Sequence, residues 1–232
     1  MDNLLKNKRI LLVGGSSGIG LAVAKQAYKA GGELILASRN AAEKNNELVT
    51  AVGHNIETYS FDVTSENEIV TALEKIGKID HLVITARPYI TPALFVETNL
   101  KQAQQAFATK FWGQYQLIQK AHGQIRQNGS IIMTTGIAGE KIYKNFSTMA
   151  IINSAIEAFC RALAIELAPI RVNIVSPGFV TPKSSQVEKY AEQFPLGRIA
   201  SPEEVADAYI YLMKSPYITG TTVVIDGGAR LI

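Results

Sequence analysis

The sequence predicts an α/β protein built on a doubly wound parallel sheet of about seven strands flanked by helices. Three observations predict it. Short apolar runs alternate with helical patterns from end to end, most of those runs are unbroken, and a glycine-rich turn joins the first run to the first helical stretch. Strand-helix alternation favours parallel pairing with right-handed crossovers. A strand covered on both faces has no solvent side, so it reads as a continuous apolar run.

In order, strands are expected at 9–13, 34–37, 56–61, 81–85, 130–134, 171–175 and 222–225, the most polar run, 56–61, suiting an edge. Helices are expected near 19–30, 41–52, 66–76, 98–126, 148–168 and 203–214. Ser65 with Glu68 reads as a capping box, in which the hydroxyl caps one backbone N–H and the carboxylate returns to the cap residue. Ser201, Pro202 and Glu204 form another, with proline where its missing N–H costs nothing. Ser147 and Thr148 are expected to cap the helix at 148–168. No linker, low-complexity stretch or repeat interrupts the pattern, so residues 1–232 are expected to form one domain.

Composition excludes several function classes. The 232 residues are 47% hydrophobic and 19% charged, which is globular rather than disordered. The net charge of +3 is spread along the chain without a basic run, so nucleic acid is not an expected partner. No apolar run reaches the roughly 18 residues needed to cross a membrane, and residues 1–8 carry no signal-peptide core. Cys160 is the single cysteine and reads as a small core residue. His54, His81 and His122 share no ligand spacing, so no metal site is expected. Together these features point to the cytoplasm.

The first strand runs into Gly14, Gly15, Ser16, Ser17, Gly18, Ile19 and Gly20, and a helix follows. In that context glycines let backbone N–H groups approach a pyrophosphate, and the helix N-terminus adds favourable dipole charge. The competing reading is a tight structural turn. The end of the second strand selects the dinucleotide. NAD would call for an acid there, but the residues are Ala37, Ser38, Arg39 and Asn40. Arg39 can pair with a 2′-phosphate and Ser38 can add a hydroxyl, so NADP(H) is expected. The plainer alternative is a solvated surface arginine.

These residues resemble the short-chain dehydrogenase/reductase family, whose Rossmann-type fold matches the predicted sheet. Asp62 and Val63 look like its adenine-contacting pair. Arg171, Val172 and Asn173 through Ser176, Pro177 and Gly178 match the segment before the nicotinamide site. Thr219 and Gly220 through Asp226, Gly227 and Gly228 match its C-terminal segment. The resemblance covers essentially the whole chain. It implies cofactor contacts from Gly14, Ser16, Ser17, Gly18, Ile19, Gly20, Ser38, Arg39, Asp62, Val63, Ala86, Pro177, Gly178, Val180 and Thr181. It also implies a substrate lid near 182–196 and a homodimer or homotetramer. The aromatic side chains Phe107, Phe111, Trp112 and Tyr115 would either supply that contact or cover the sheet.

The family's chemical positions do not match. Its serine position falls on Gly136, its tyrosine position on Met149, its lysine position on Asn153 and its asparagine position on Lys110. Methionine donates no proton, and glycine orients no carbonyl through a side chain. Asparagine and lysine have exchanged places, which suggests that the positive charge enters the nicotinamide pocket from the other side while Asn153 bonds the ribose. The alternative is that Lys110 is a surface or helix-contact lysine. Thr134, Thr135, Ser147, Thr148 and Tyr143 are the nearby hydroxyls that could substitute, with Tyr143 read otherwise as a loop aromatic packed on the surface. Two functions remain: an NADP(H)-dependent oxidoreductase with an atypical site, its small-molecule carbonyl, alcohol or activated-alkene substrate unspecified, or a catalytically inactive NADP(H)-binding sensor or partner subunit.

Overall fold

The computed structural model describes residues 4–232. Its strands are β1 (Arg9–Val13), β2 (Glu33–Ser38), β3 (Glu57–Ser60), β4 (Ile79–Ile84), β5 (Ile125–Thr134), β6 (Arg171–Pro177) and β7 (Thr222–Ile225). They form one seven-stranded sheet in the order β3-β2-β1-β4-β5-β6-β7, and every neighbouring pair is parallel. The polar strand β3 lies at an edge, as its composition predicts.

Successive side chains of a strand point to opposite faces, so an unbroken apolar run feeds two cores. Leu11 and Val13 join Ile35, Ile84 and Ile131 in one, while Ile10 and Leu12 join Leu34, Leu36 and Val83 in the other. The first core is covered by α3 (Glu66–Ile76), α5 (Gly113–Ala121) and α6 (Ser147–Glu166). The second is covered by α1 (Gly18–Lys29), α2 (Asn45–Val52) and α8 (Pro202–Lys214).

The helix expected over 98–126 is divided. It comprises α4 (Leu100–Phe107), a π-helical turn at Ala108–Trp112 and α5, which stops at Ala121. Ile125 pairs with Ile79 of β4, and Arg126 reaches the Asp80 carboxylate at 2.7 Å, so tertiary contacts draw both residues into β5. The segment 182–196 contains a helix, α7 (Ser185–Ala191), too short and too mixed in charge to show a period. The start of α2 lies at Asn45 rather than near 41.

Ser201 and Glu204 form the complete capping box. At Ser65 the box is half-formed: its hydroxyl accepts from Glu68 N, but the Glu68 carboxylate accepts from Asp62 N at 2.9 Å. Ser147 and Thr148 do not cap α6, because the helix begins one residue earlier than expected and Phe146 takes the cap position. By length and composition α6 is long and apolar enough to cross a membrane, although it holds no unbroken apolar run of that length, and Ile152, Ile156, Cys160 and Leu163 bury its apolar face in the core.

Arg171 ties the start of β6 to the end of α8. Its Nη1 and Nη2 donate to the Leu212 and Met213 carbonyls at 2.7 and 3.1 Å, within the last turn, where no helical donor remains. Arg171→Met strands both carbonyls in a buried setting, an expected cost of about 2–4 kcal/mol. For a chain of this size that lowers the melting temperature by about 5–15 °C, a shift that thermal denaturation followed by circular dichroism would read.

Candidate active site

The sheet order reverses between β1 and β4, which opens a crevice at the carboxyl ends of these strands. Gly14 leaves β1 with φ +90° and donates its N–H to Ala37 O at 2.7 Å. From β4, Thr85 N donates to Val13 O at 2.8 Å and the Thr85 hydroxyl to the same oxygen at 3.2 Å. A Cβ on Gly14 would lie 2.7 Å from Ala86 N, and one on Gly20 would lie 2.1 Å from Gly14 O. Glycine therefore lets α1 seat its N-terminus against the ends of β1 and β4. Ser17 takes the N-cap position without a side-chain cap bond, and the first turn holds no acid. The N–H groups of Gly18, Ile19 and Gly20 are left for an external acceptor, and nothing lies within 4 Å of where a Gly18 Cβ would project. These residues fit a pyrophosphate.

The remaining expected contacts follow the carboxyl ends of strands of the same sheet. Arg39 is exposed just after β2 and has no carboxylate partner among the described residues. The Ser38 hydroxyl donates to Asn40 Oδ1 at 3.3 Å. Asp62 accepts from Thr64 N and Thr64 Oγ1, each at 2.8 Å. Gly113 lets α5 approach Val63, since a Cβ there would be 2.8 Å from Val63 Cγ2, and Gln116 Nε2 donates to Val63 O. At the end of β6, Gly178 N donates to Ile225 O at 2.9 Å, Val180 bridges to Ala200, and Thr181 N donates to Ala200 O at 2.9 Å. Burial, and then the nearby charge of Arg87, lower the Lys183 pKa. The sequence reading did not propose Lys183, because one lysine in a mixed-charge segment carries no pattern.

The sharpest feature is Lys110. It is not a surface lysine: it sits on the π-helical turn and is 5% exposed. Its Nζ donates to Asn153 Oδ1 at 2.7 Å and to Thr135 O at 3.0 Å. Asn153 in turn donates from Nδ2 to Gly136 O at 3.0 Å. The exchanged lysine and asparagine thus meet directly, and both are committed to the backbone that leaves β5. The Asn153 carbonyl and one of its two amide protons are engaged within the protein. With no carboxylate beside it, burial lowers the Lys110 pKa to about 7. Gln114, buried one turn on, donates to Lys110 O at 2.7 Å and was missed from sequence because a helical glutamine carries no distinguishing signal.

Around this pair the other candidates separate. Thr134 is spent, its hydroxyl lying 2.6 Å from both Ile84 O and the Tyr209 hydroxyl in the core. The Thr135 hydroxyl is buried without a protein partner. Met149 lines a small recess of mixed character, with Ile90, Ala93 and Phe146 among its apolar residues and Thr98, Asn145 and Thr148 among its polar ones. Tyr143 is half-buried on its loop: its ring meets Phe179 edge-on at 5.9 Å, and Phe179 also contacts Tyr190 and Phe194. The Tyr143 hydroxyl is buried and unpartnered, and burial, reinforced by Tyr190 and Asp226, raises its pKa to about 12. Trp112 and Tyr115 face outward, while Phe107 and Phe111 pack on the core.

A glycine cradle at the reversal of a parallel sheet is the arrangement of a Rossmann-type fold. The family model described as Enoyl-(Acyl carrier protein) reductase matches residues 13–230, and the chain belongs to this family of short-chain dehydrogenases and reductases, which bind nicotinamide cofactors. It is 36% identical to the short-chain dehydrogenase/reductase ATR9 of Stachybotrys chlorohalonatus over 98% of both chains. It is also 36% identical to carbonyl reductase family member 4 of Xenopus laevis, over 97% of this chain and 99% of that one. Among solved structures, a small-chain dehydrogenase in complex with NADPH superposes with a TM-score of 0.83 at 31% identity, covering 97% of this chain and 99% of the other.

Proposed function

We propose that the protein is an NADP(H)-dependent oxidoreductase with an atypical site, acting on a small-molecule carbonyl, alcohol or activated alkene. The observation that carries this reading is the open N-terminus of α1 over its glycine cradle, with Arg39 and no acid at the end of β2. A relative crystallised with NADPH supports it. When bound, the nicotinamide supplies a hydride with its electron pair. The residues of this chain hold and orient: the 18–20 amides take the pyrophosphate, Arg39 the 2′-phosphate, Asp62 and Val63 the adenine, and Ala86 with the 177–181 turn the nicotinamide end.

In this reading Gly136, Met149, Asn153 and Lys110 stand where relatives carry serine, tyrosine, lysine and asparagine. Lys110 and Asn153 form the polar wall below the reacting centre. Among the described residues, Thr135 and Tyr143 carry the buried hydroxyls without a protein partner, and these hydroxyls are protein proton donors for the reaction. Losing a general acid costs about 10²–10⁴ in rate, whereas alignment of donor and acceptor supplies about 7–11 kcal/mol. A polarised alkene, which needs no strong acid as hydride arrives, suffers least. The residues 182–196, with α7, serve as a lid, and the outward Trp112 and Tyr115 belong to a homodimer or homotetramer contact. The single domain works in the cytoplasm.

A second reading, an inactive NADP(H)-binding sensor or subunit, draws on Lys110, whose ammonium is committed to Thr135 and Asn153. Loss of absorbance at 340 nm with a panel of carbonyl and enone acceptors decides between them. Turnover above the protein-free rate is expected, and its absence across the panel in a protein that binds NADPH favours the second reading. Arg39→Glu is expected to weaken NADPH binding by about 10–150-fold, the loss of a charge-assisted contact, and to leave NADH affinity within about threefold; fluorescence titration reads both.

A further inference from the structure

Lys110 and Asn153 grip two consecutive peptide units. Lys110 Nζ donates to the carbonyl of the Thr135–Gly136 peptide at 3.0 Å, and Asn153 Nδ2 donates to the next carbonyl, Gly136 O, also at 3.0 Å. In a planar trans peptide the N–H points away from its own carbonyl. The Gly136 N–H therefore lies on the far side of its peptide from the buried ammonium. Among the described residues it donates to no backbone or side-chain acceptor, whereas the preceding amide, Thr135 N, is fixed to Val175 O at 3.0 Å. A hydrogen bond to a peptide oxygen polarises the whole unit and makes its N–H a stronger donor, and a cationic donor does so more than a neutral one.

Gly136 is also where a side chain would stand in the way. A Cβ there would meet only Asn153 Nδ2 at 3.3 Å and Pro177 O at 3.5 Å, and the residue is partly exposed at the mouth between β5 and β6. Its φ of 166° is ordinary extended backbone, so glycine is not needed for strain. What glycine changes here is access to the amide. The Met149 side chain, which stands at the family's tyrosine position, offers no donor to an oxygen.

Building on the proposed oxidoreductase reading, we propose that the Gly136 amide, sharpened by Lys110 through the Thr135 carbonyl, holds the negative charge that forms on the substrate oxygen. When the acceptor carbon gains a hydride and its electron pair, the C=O π pair moves to oxygen. In an enone it moves there through the conjugated system. The resulting oxyanion rests on the Gly136 N–H and then takes a proton from water. Lys110 is thus a positioning residue acting through the peptide, and the Gly136 backbone is the group that touches substrate. Its chemistry suits quinones, α-diketones and enones, whose oxyanions form without a strong acid.

Two readouts test this, one without cofactor. In protein labelled with ¹⁵N-glycine, the Gly136 amide is identified as the signal lost in Gly136→Ala. In Lys110→Met that signal is expected to move upfield in ¹⁵N, the direction of a weaker bond at the Thr135 carbonyl, while glycines of the α1 turn stay in place. With menadione and 2,3-butanedione as probes, Lys110→Met is expected to lower kcat about tenfold with KM little changed. Lys110→Gln, which keeps a donor and removes the charge, replaces it if the methionine variant does not fold. An unmoved Gly136 signal, or an unchanged kcat, overturns the proposal. If the wild type reduces neither probe, the oxidoreductase reading fails on those acceptors, and the Gly136 signal alone decides whether Lys110 polarises the peptide.

Discussion

Gly20→Ala is expected to abolish detectable nicotinamide-nucleotide binding and to lower the melting temperature by more than about 5 °C. The added Cβ would lie 2.1 Å from Gly14 O and 2.6 Å from Thr85 Oγ1. The first neighbour is backbone, and it is held in place because Gly14 N is bonded to Ala37 O. No rotamer relieves such a clash, so α1 must back away from β1 and β4. That movement breaks the packing of Val23, Ala24 and Ala27 on the second core, and overpacking of this kind costs about 1–3 kcal/mol or more. It also displaces the 18–20 amides from the crevice, and a shift on the order of 1 Å is enough to lose a pre-organised anion site. Gly18→Ala makes the contrast. Its Cβ would meet nothing within 4 Å, although φ of +51° strains it, so a smaller thermal loss is expected. Equal melting temperatures for Gly20→Ala and the wild type would show that the cradle is looser than this geometry.

Lys110 gives the second large effect, in the pH dependence of stability. Burial lowers its pKa from 10.5 to about 7 in the folded protein, while the unfolded chain keeps the ordinary value. Between those values the unfolded chain binds the proton and the folded chain does not, so folding stability rises with pH across that window. Below about pH 7 both states are charged, the slope vanishes and the full penalty of the buried ammonium remains. The gap corresponds to about 5 kcal/mol over the whole window, of which about 2 kcal/mol falls between pH 7 and 9. Thermal melts should therefore show the wild type gaining about 4–8 °C over Lys110→Met on going from pH 7 to 9. The variant loses the charge but strands Asn153 Oδ1 and Thr135 O, so its stability at pH 7 is expected to lie near that of the wild type. Parallel curves for the two proteins would place the Lys110 amine in contact with water.

Much of the fold was legible because its signals are local. An apolar run such as 9–13 buried on both faces, a glycine turn entering a helix, and Ser201 with Pro202 and Glu204 each act over a few residues. The misjudged elements depend on distant partners. Ile125 and Arg126 follow a helical pattern, yet they join β5 because Ile79 and Asp80 receive them across the sheet. Glu68 caps the wrong amide for a capping box because Asp62 N comes within its reach. The candidate site divides in the same way. The cradle residues Gly14 and Gly20 are readable from sequence, since close backbone approach demands glycine. The exchange of Lys110 and Asn153 could be noticed by spacing, but their direct contact, the two carbonyls they share and the unpartnered Gly136 amide follow only from packing of the π-helical turn against β5 and α6.

In the proposed reading Arg39 selects NADP(H) over a cradle that opens the first helix to a pyrophosphate. The most direct measurement is a fluorescence titration of the purified protein with NADPH and NADH at one ionic strength. A dissociation constant in the micromolar range for NADPH, with NADH at least about tenfold weaker, is the predicted result. Equal affinities, or binding of neither nucleotide, would contradict it.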